Sequence, residues 1–166
     1  MIVDSLVNWI LWFLLCFISV LVHELGHALI SRILFKDKGW VITMGSGPTI
    51  IGTKRLIINL WFFMGGRVNY SVVGGKTSHQ VLRAAAGFTV NIIFVVLIFL
   101  FSLRYFEADI FPFWWRIIPL AIFANIFTAL YTILPIKYFF GAARGMPSDG
   151  LYILQLIKSR KGQKGE

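Results

Sequence analysis

Charge is scarce in this chain, and acid is scarcer still. Of 166 residues 14% are charged, with 7 Asp and Glu against 16 Lys and Arg, a formal net charge of +9. A soluble domain carries about 25% charged residues, so this chain has too little polar surface to cover a fold in water. Cysteine is nearly absent, and the single Cys16 excludes an internal disulfide scaffold. The polar, weakly hydrophobic composition of a disordered chain is missing as well. What the sequence has instead is apolar bulk: 58% hydrophobic residues and a mean hydropathy of +0.79. Together these describe a small integral membrane protein folded as one domain over residues 1–166.

The apolar residues fall into runs. No charge occurs from Ser5 to Val22, about 27 Å of helix, and the run continues past a short polar cluster to residue 31. Further runs cover about 84–103 and 117–136, each near the ~20 residues needed to cross hydrocarbon. The first residues carry no Lys or Arg and no small-residue cleavage site follows, so the first run reads as a retained span rather than a signal peptide. Cations cluster between spans one and two (Arg32, Lys36, Lys38, Lys54, Arg55, Arg67, Lys76, Arg83) and after span three (Lys137, Arg144, Lys158, Arg160, Lys161, Lys164). Between spans two and three, Arg104 and Arg116 are offset by Glu107 and Asp109. The positive-inside rule then puts the N-terminus outside and the C-terminus in the cytoplasm of a multi-pass cell-membrane protein. The basic excess reads as topology and contact with anionic lipid. It forms no groove or recognition helix, so nucleic acid is not an expected partner.

Residues 38–75 alternate β-branched or aromatic runs with Gly45-Ser-Gly-Pro48, Gly52-Thr-Lys-Arg55, Gly65-Gly66 and Gly74-Gly75. That pattern predicts about two β-hairpins at the membrane interface, with Trp61, Phe62 and Phe63 as interfacial aromatics. An Asp-Gly segment and a short helix are expected at about 147–158, followed by a basic tail over 158–166.

Ionisable groups inside a span cost at least ~2.5–3.5 kcal/mol each near its centre, yet His23, Glu24 and His27 lie within five residues. A spacing of four puts both imidazoles on one helical face, and Glu24 is turned by about 100° from His23. This is the H-E-x-x-H arrangement, in which two neutral imidazoles ligate one zinc ion and the carboxylate is the general base. With Arg32 marking the exit from the membrane, His27 lies about 8 Å and His23 about 14 Å below that level. Gly26, between them, leaves room for another helix or a substrate backbone.

A catalytic zinc usually has three protein ligands and an open position. Among the remaining acids the expected topology places Asp4, Glu107 and Asp109 outside, Asp37 just past the first helix, and Glu166 at the chain end. Asp149, opening an apolar helix after a non-helical stretch, is then the first candidate for the third ligand. His79, in the polar stretch Thr77-Ser-His-Gln80, is the rival.

His23-Glu-Leu-Gly-His27 in the first span, with Asp149-Gly150 far along the chain, resembles the site-2 protease family of intramembrane zinc metalloproteases. Gly45-Ser-Gly-Pro48 and Met64-Gly-Gly-Arg-Val68 are similar to that family's glycine-rich membrane-associated sheet. Ala86-Gly87-Phe-Thr-Val-Asn91 resembles its Ala-Gly-Pro-x-x-Asn signature, with Phe88 in the proline position. Leu134-Pro135 and Ser148-Asp149-Gly150 resemble its Asn-x-x-Pro…Asp-Gly element. Thr132 stands where the family has asparagine, and Ile136 to Ser148 is longer than the usual connection. The resemblance implies a mainly α-helical, three-span core with a small membrane-associated β-sheet between spans one and two. It implies His23, His27 and Asp149 as zinc ligands, Glu24 as the catalytic base, and Asn91 and Asn125 as substrate-binding residues. No stretch has the size of the PDZ or CBS domains of some relatives.

The expected function is thus an intramembrane zinc endopeptidase that cuts a membrane-inserted or membrane-associated peptide near the cytosolic face. The work would be peptide maturation or regulated proteolysis, with selection by the core or by a separate membrane partner. Two other classes are a non-catalytic zinc-binding assembly factor and a small transporter using His23 and Glu24 as a proton relay. Intact Glu24 argues against the first, and three spans are few for the second.

Overall fold

The computed structural model describes residues 2–105 and 114–162. Met1, residues 106–113 with Glu107 and Asp109, and the end of the basic tail from residue 163 lie outside the described residues. In chain order the elements are α1 (Ile2–Leu34), β1 (Val41–Gly52), β2 (Leu56–Asn69), α2 (Thr77–Tyr105), α3 (Trp114–Ile133) and α4 (Asp149–Gly162). Three stretches, Ser5–Leu34, Thr77–Arg104 and Arg116–Ile133, are long and apolar enough to cross a membrane.

Most helix limits fall a few residues from the sequence expectation, and two have a local cause. α2 begins at Thr77, ahead of its apolar run, because Gln80 N–H reaches the Lys76 carbonyl (3.1 Å) and the Gln80 side chain donates to the Gly75 carbonyl (2.8 Å). Backbone bonding of this kind is indifferent to hydropathy, so the polar first turns are helical too. α3 stops at Ile133 because Pro135 disfavours the helical conformation at Leu134.

The first three helices pack side by side. Ser19, His23, His27 and Ser31, four residues apart on one face of α1, are buried, while Ile18, Leu25, Leu29 and Ile33 on other faces are exposed. Among the described residues, the buried apolar side chains of α2 and α3 are all small: Ala84, Ala86, Ala121, Ala124 and Ala129. Small residues let helix backbones approach where lipid offers no hydrophobic drive between helices. Gly26 belongs to that set, since a Cβ there would stand 2.8 Å from the Ala86 carbonyl oxygen.

Residues 41–69 form one small sheet in which β1 and β2 each bend and pair more than once, with repeated register shifts. Ile42 pairs with Val68 and also with Leu56, and the far end of β1 pairs back onto Ile57–Asn59. The bend depends on glycine at Gly45, in the left-handed region (φ 72°), where a Cβ would run into the Trp61–Phe62 backbone. Ile42, Met44 and Val68 pack with Ala28 of α1, joined by Phe17, Val20 and Leu21. The sheet therefore lies along the helix that carries the His-Glu-His cluster.

Just past α1, Asp37 ties the linkers together. It has no exposed surface and accepts N–H groups from Gly39 (2.8 Å), Ser71 (3.0 Å) and Val72 (3.3 Å), and hydroxyls from Ser31 (3.3 Å) and Ser71. Burial favours the neutral acid, yet these hydrogen bonds hold the carboxyl down at about 2.

Candidate metal centre

The four-residue spacing on α1 brings the His23 and His27 rings together edge to face, with their Nε2 atoms 3.0 Å apart. Asp149 Oδ2 stands 3.0 Å from His23 Nε2 and 3.3 Å from His27 Nε2. All three side chains are drawn into the protein, with the two histidines buried and Asp149 partly so.

Each imidazole is oriented through its other nitrogen. His27 Nδ1 meets the Arg83 backbone carbonyl at 2.7 Å, an atom that only accepts. His23 Nδ1 meets Asn91 Oδ1 at 2.9 Å. The Asn91 amide is itself oriented, because its Nδ2 donates to the Ser19 carbonyl (3.1 Å), the Ser19 hydroxyl (3.1 Å) and Asn125 Oδ1 (2.8 Å). Both Nδ1 atoms therefore carry hydrogen, and in the neutral rings both Nε2 atoms present lone pairs.

Three lone-pair atoms thus converge within 3.3 Å of one another, and Asp149 Oδ2 is buried without a hydrogen-bond donor. Unpaired buried acceptors facing each other are unfavourable, and a cation between them reverses the sign. Ligand atoms about 2.0–2.1 Å from a tetrahedral zinc ion stand about 3.3 Å apart, close to the edges of this triangle. His23, His27 and Asp149 fit a metal ion on donor set, orientation and spacing.

Backbone glycines make the room. A Cβ at Gly87 would overlap both imidazoles, so α2 can pass the centre closely only as glycine. A Cβ at Gly66 would sit 2.9 Å from Glu24 Cγ and 3.1 Å from its Oε1, which places β2 against the carboxylate. Glu24, adjoining His23 on α1, is buried.

Asp149 arrives from the opposite end of the chain. Ser148 caps α4, its hydroxyl accepting the Leu151 N–H (3.2 Å) and donating to the Leu134 carbonyl. Ser148 N–H bonds the Ile136 carbonyl (2.9 Å), Lys137 bridges to Pro147, and Tyr138 N–H bonds the Met146 carbonyl (3.0 Å). The long stretch from Ile136 to Ser148 is thereby closed at its base, and its length does not displace Asp149. Gly150 fits against the end of α3, where a Cβ would overlap the Ile133 carbonyl.

Of the other sequence candidates, His79 packs its ring against Phe35 (centroids 5.9 Å apart) and does not join the ligand group. Asn91 is 0% exposed and Asn125 is buried, with Asn125 Nδ2 donating to the Ala121 carbonyl. The two amides bond each other inside the bundle, and Asn91 meets the His23 ring. Sequence reasoning passed over Ser19, which donates to the Ala124 carbonyl (3.2 Å) and Thr128 (2.9 Å). Its signal was present: Ser19 precedes His23 by the same four residues that separate the histidines. The Arg83 carbonyl was beyond such reasoning, since every residue type has one. Comparison with protein-family models, with curated proteins and with solved structures finds no match, so the site's own geometry carries the functional argument.

Proposed function

We propose that this chain is an intramembrane zinc endopeptidase of site-2-protease type, which hydrolyses a peptide bond in a membrane-inserted or membrane-associated peptide. The observation that carries the reading is the convergence of two oriented imidazole lone pairs and an orphaned carboxylate oxygen beside Glu24, within helices apolar enough to span lipid. His23, His27 and Asp149 would hold the ion. Zinc, when bound, supplies Lewis acidity toward water and toward a carbonyl oxygen.

The protein's own groups do the rest. Glu24 takes a proton from water as the water oxygen adds to the scissile carbonyl carbon. It then delivers that proton to the amide nitrogen as the C–N bond breaks, leaving a carboxylic acid and an amine, between which the acid's proton passes to give carboxylate and ammonium. Burial of Glu24 limits competing solvent, and Gly66 brings β2 close enough for an extended substrate to pair along the sheet edge. A helical substrate must unwind first, because its carbonyls are already bonded. The excess of cations on the connections bearing the sheet and α4 orients that side to the cytoplasm, so the cut falls near the cytosolic face of the cell membrane.

The test compares Glu24→Gln with His23→Ala and Asp149→Ala in purified full-length chain, reading zinc content and peptide cleavage. Glu24→Gln is expected to keep zinc and lose cleavage, whereas the ligand variants lose both. Undiminished cleavage in Glu24→Gln rules out the base. A wild type that keeps zinc but cleaves no membrane peptide favours an assembly factor, and zinc-free wild type with proton flux favours a transporter.

A further inference from the structure

A neutral histidine ligates through the nitrogen that lacks hydrogen, and the hydrogen bond on its other nitrogen decides which one that is. For His27 the choice is made by backbone, the Arg83 carbonyl. For His23 it is made by a side chain, Asn91, from a different helix. An asparagine can turn its amide over and offer NH2 in place of oxygen. In that orientation it would call for the opposite tautomer of His23, with hydrogen on Nε2, pointing at His27 Nε2 and Asp149 Oδ2.

Everything around Asn91 opposes that turn. Its Nδ2 faces the Ser19 carbonyl, which only accepts, and Asn125 Oδ1. Asn125 is held in its own orientation because its Nδ2 donates to the Ala121 carbonyl (2.9 Å). Ser19 is anchored by its hydroxyl to Thr128 and to the Ala124 carbonyl. Two fixed backbone acceptors, on α1 and α3, thus force one orientation on a chain of two amides. Asn91 has no exposed surface from which water could substitute.

We infer that Asn91 is the positioning residue that holds His23 in its metal-binding tautomer, with Asn125 locking the Asn91 amide so that α3 helps to set the affinity of a ligand on α1. The inference rests on the metal reading above and deepens it. Asn91 acts on the ion through His23, and Asn125 acts through Asn91. Their buried polar cost inside an apolar bundle is offset by a prepared lone pair on His23.

The test uses full-length protein in detergent, stripped with chelator and titrated with zinc against a competing chelator, alongside 15N NMR of histidine-labelled chain. In the wild type before metal addition, His23 is expected to carry hydrogen on Nδ1 and none on Nε2. Asn91→Leu, which keeps bulk and removes the acceptor, is expected to weaken zinc by about 10–100-fold and to mix the His23 tautomers. Asn91→Asp, which keeps an acceptor at Nδ1, is expected to recover most of the affinity. Thr89→Ala, on the same helix and bonded only to the Ala85 carbonyl, is the unaffected control. Wild-type affinity in a folded Asn91→Leu chain overturns the inference, as does Asn91→Asp no better than Asn91→Leu. Hydrogen on Nε2 in the wild type overturns it even if the variants do not fold. Absence of stoichiometric zinc from the wild type brings down the metal reading itself, a result distinguishable from all of these.

Discussion

Asp37 and Asp149 are two acids withdrawn from water, one just past α1 and the other at the start of α4. Asp37 receives three backbone N–H groups and two hydroxyls, whereas Asp149 Oδ2 receives no donor and faces two imidazole nitrogens. A carboxylate whose lone pairs are answered by the fold is part of the fold. One whose lone pair is left open toward two others is prepared for something that arrives from outside. On the proposed function the two acids separate stability from chemistry within a single chain, and substitutions should pull those quantities apart.

The largest effect is expected at the chemical acid. Asp149→Ala should lower zinc-dependent cleavage by about a thousandfold or more. Thermal unfolding of the metal-free chain should stay the same or rise, because an unanswered acceptor has been removed. A metal-free variant that unfolds well below wild type would show Asp149 to be structural and erase the contrast.

Asp37→Ala should do the reverse. Loss of five hydrogen bonds to one buried carboxylate is expected to destabilise the chain by roughly 2–4 kcal/mol, read as earlier unfolding in detergent. Cleavage per folded molecule should be unchanged.

The same acid predicts a pH response. Its folded-state pKa of about 2 lies below the ordinary 3.8, so its contribution is complete above pH 3.8. It is lost as pH falls through about 2, for a change on the order of 2 kcal/mol. In Asp37→Ala the part of the acid unfolding profile in that window should flatten. An unaltered profile would reassign the response to other groups.

Gly87→Ala sharpens the metal side of the comparison. The added methyl would overlap both imidazoles, so zinc affinity should drop while Gly74→Ala, whose new Cβ meets nothing within 4 Å, leaves zinc affinity unaltered. The smallest effect is expected from replacing residues 139–145 by a short turn. Ile136 and Ser148 still close the base of the loop, so zinc affinity should stay within a few-fold of wild type.

Parts of this architecture are legible in the residues. Three helices long and apolar enough to span a membrane follow from the apolar runs, and a small sheet between the first two follows from β-branched runs cut by glycine, though its bend does not. The His23–His27 pairing follows from helical spacing alone. Asp149 was reached by eliminating the other acids, an argument about sidedness that contains no distance. The helical start of α2 was not legible, since its polar first turns are held by backbone bonds that hydropathy does not register. Nor was the inward rotation of Asn91 and Asn125: both lie in apolar helices, and an asparagine there points to a partner without saying which one.

The order of residues along the chain is enough to pick out the candidate groups: two imidazoles and a carboxylate at helical spacing in an apolar run, where ionisable groups are costly. Local geometry suffices for that, because residues four apart on a helix are neighbours whatever the rest of the chain does. Only the tertiary structure decided which distant acid completes the triangle, which nitrogen of each imidazole faces it, and which glycines clear the space. Those depend on how three apolar helices rotate and approach one another, and in such helices small residues and single polar contacts set the rotation, not a hydrophobic pattern that could be read along the chain.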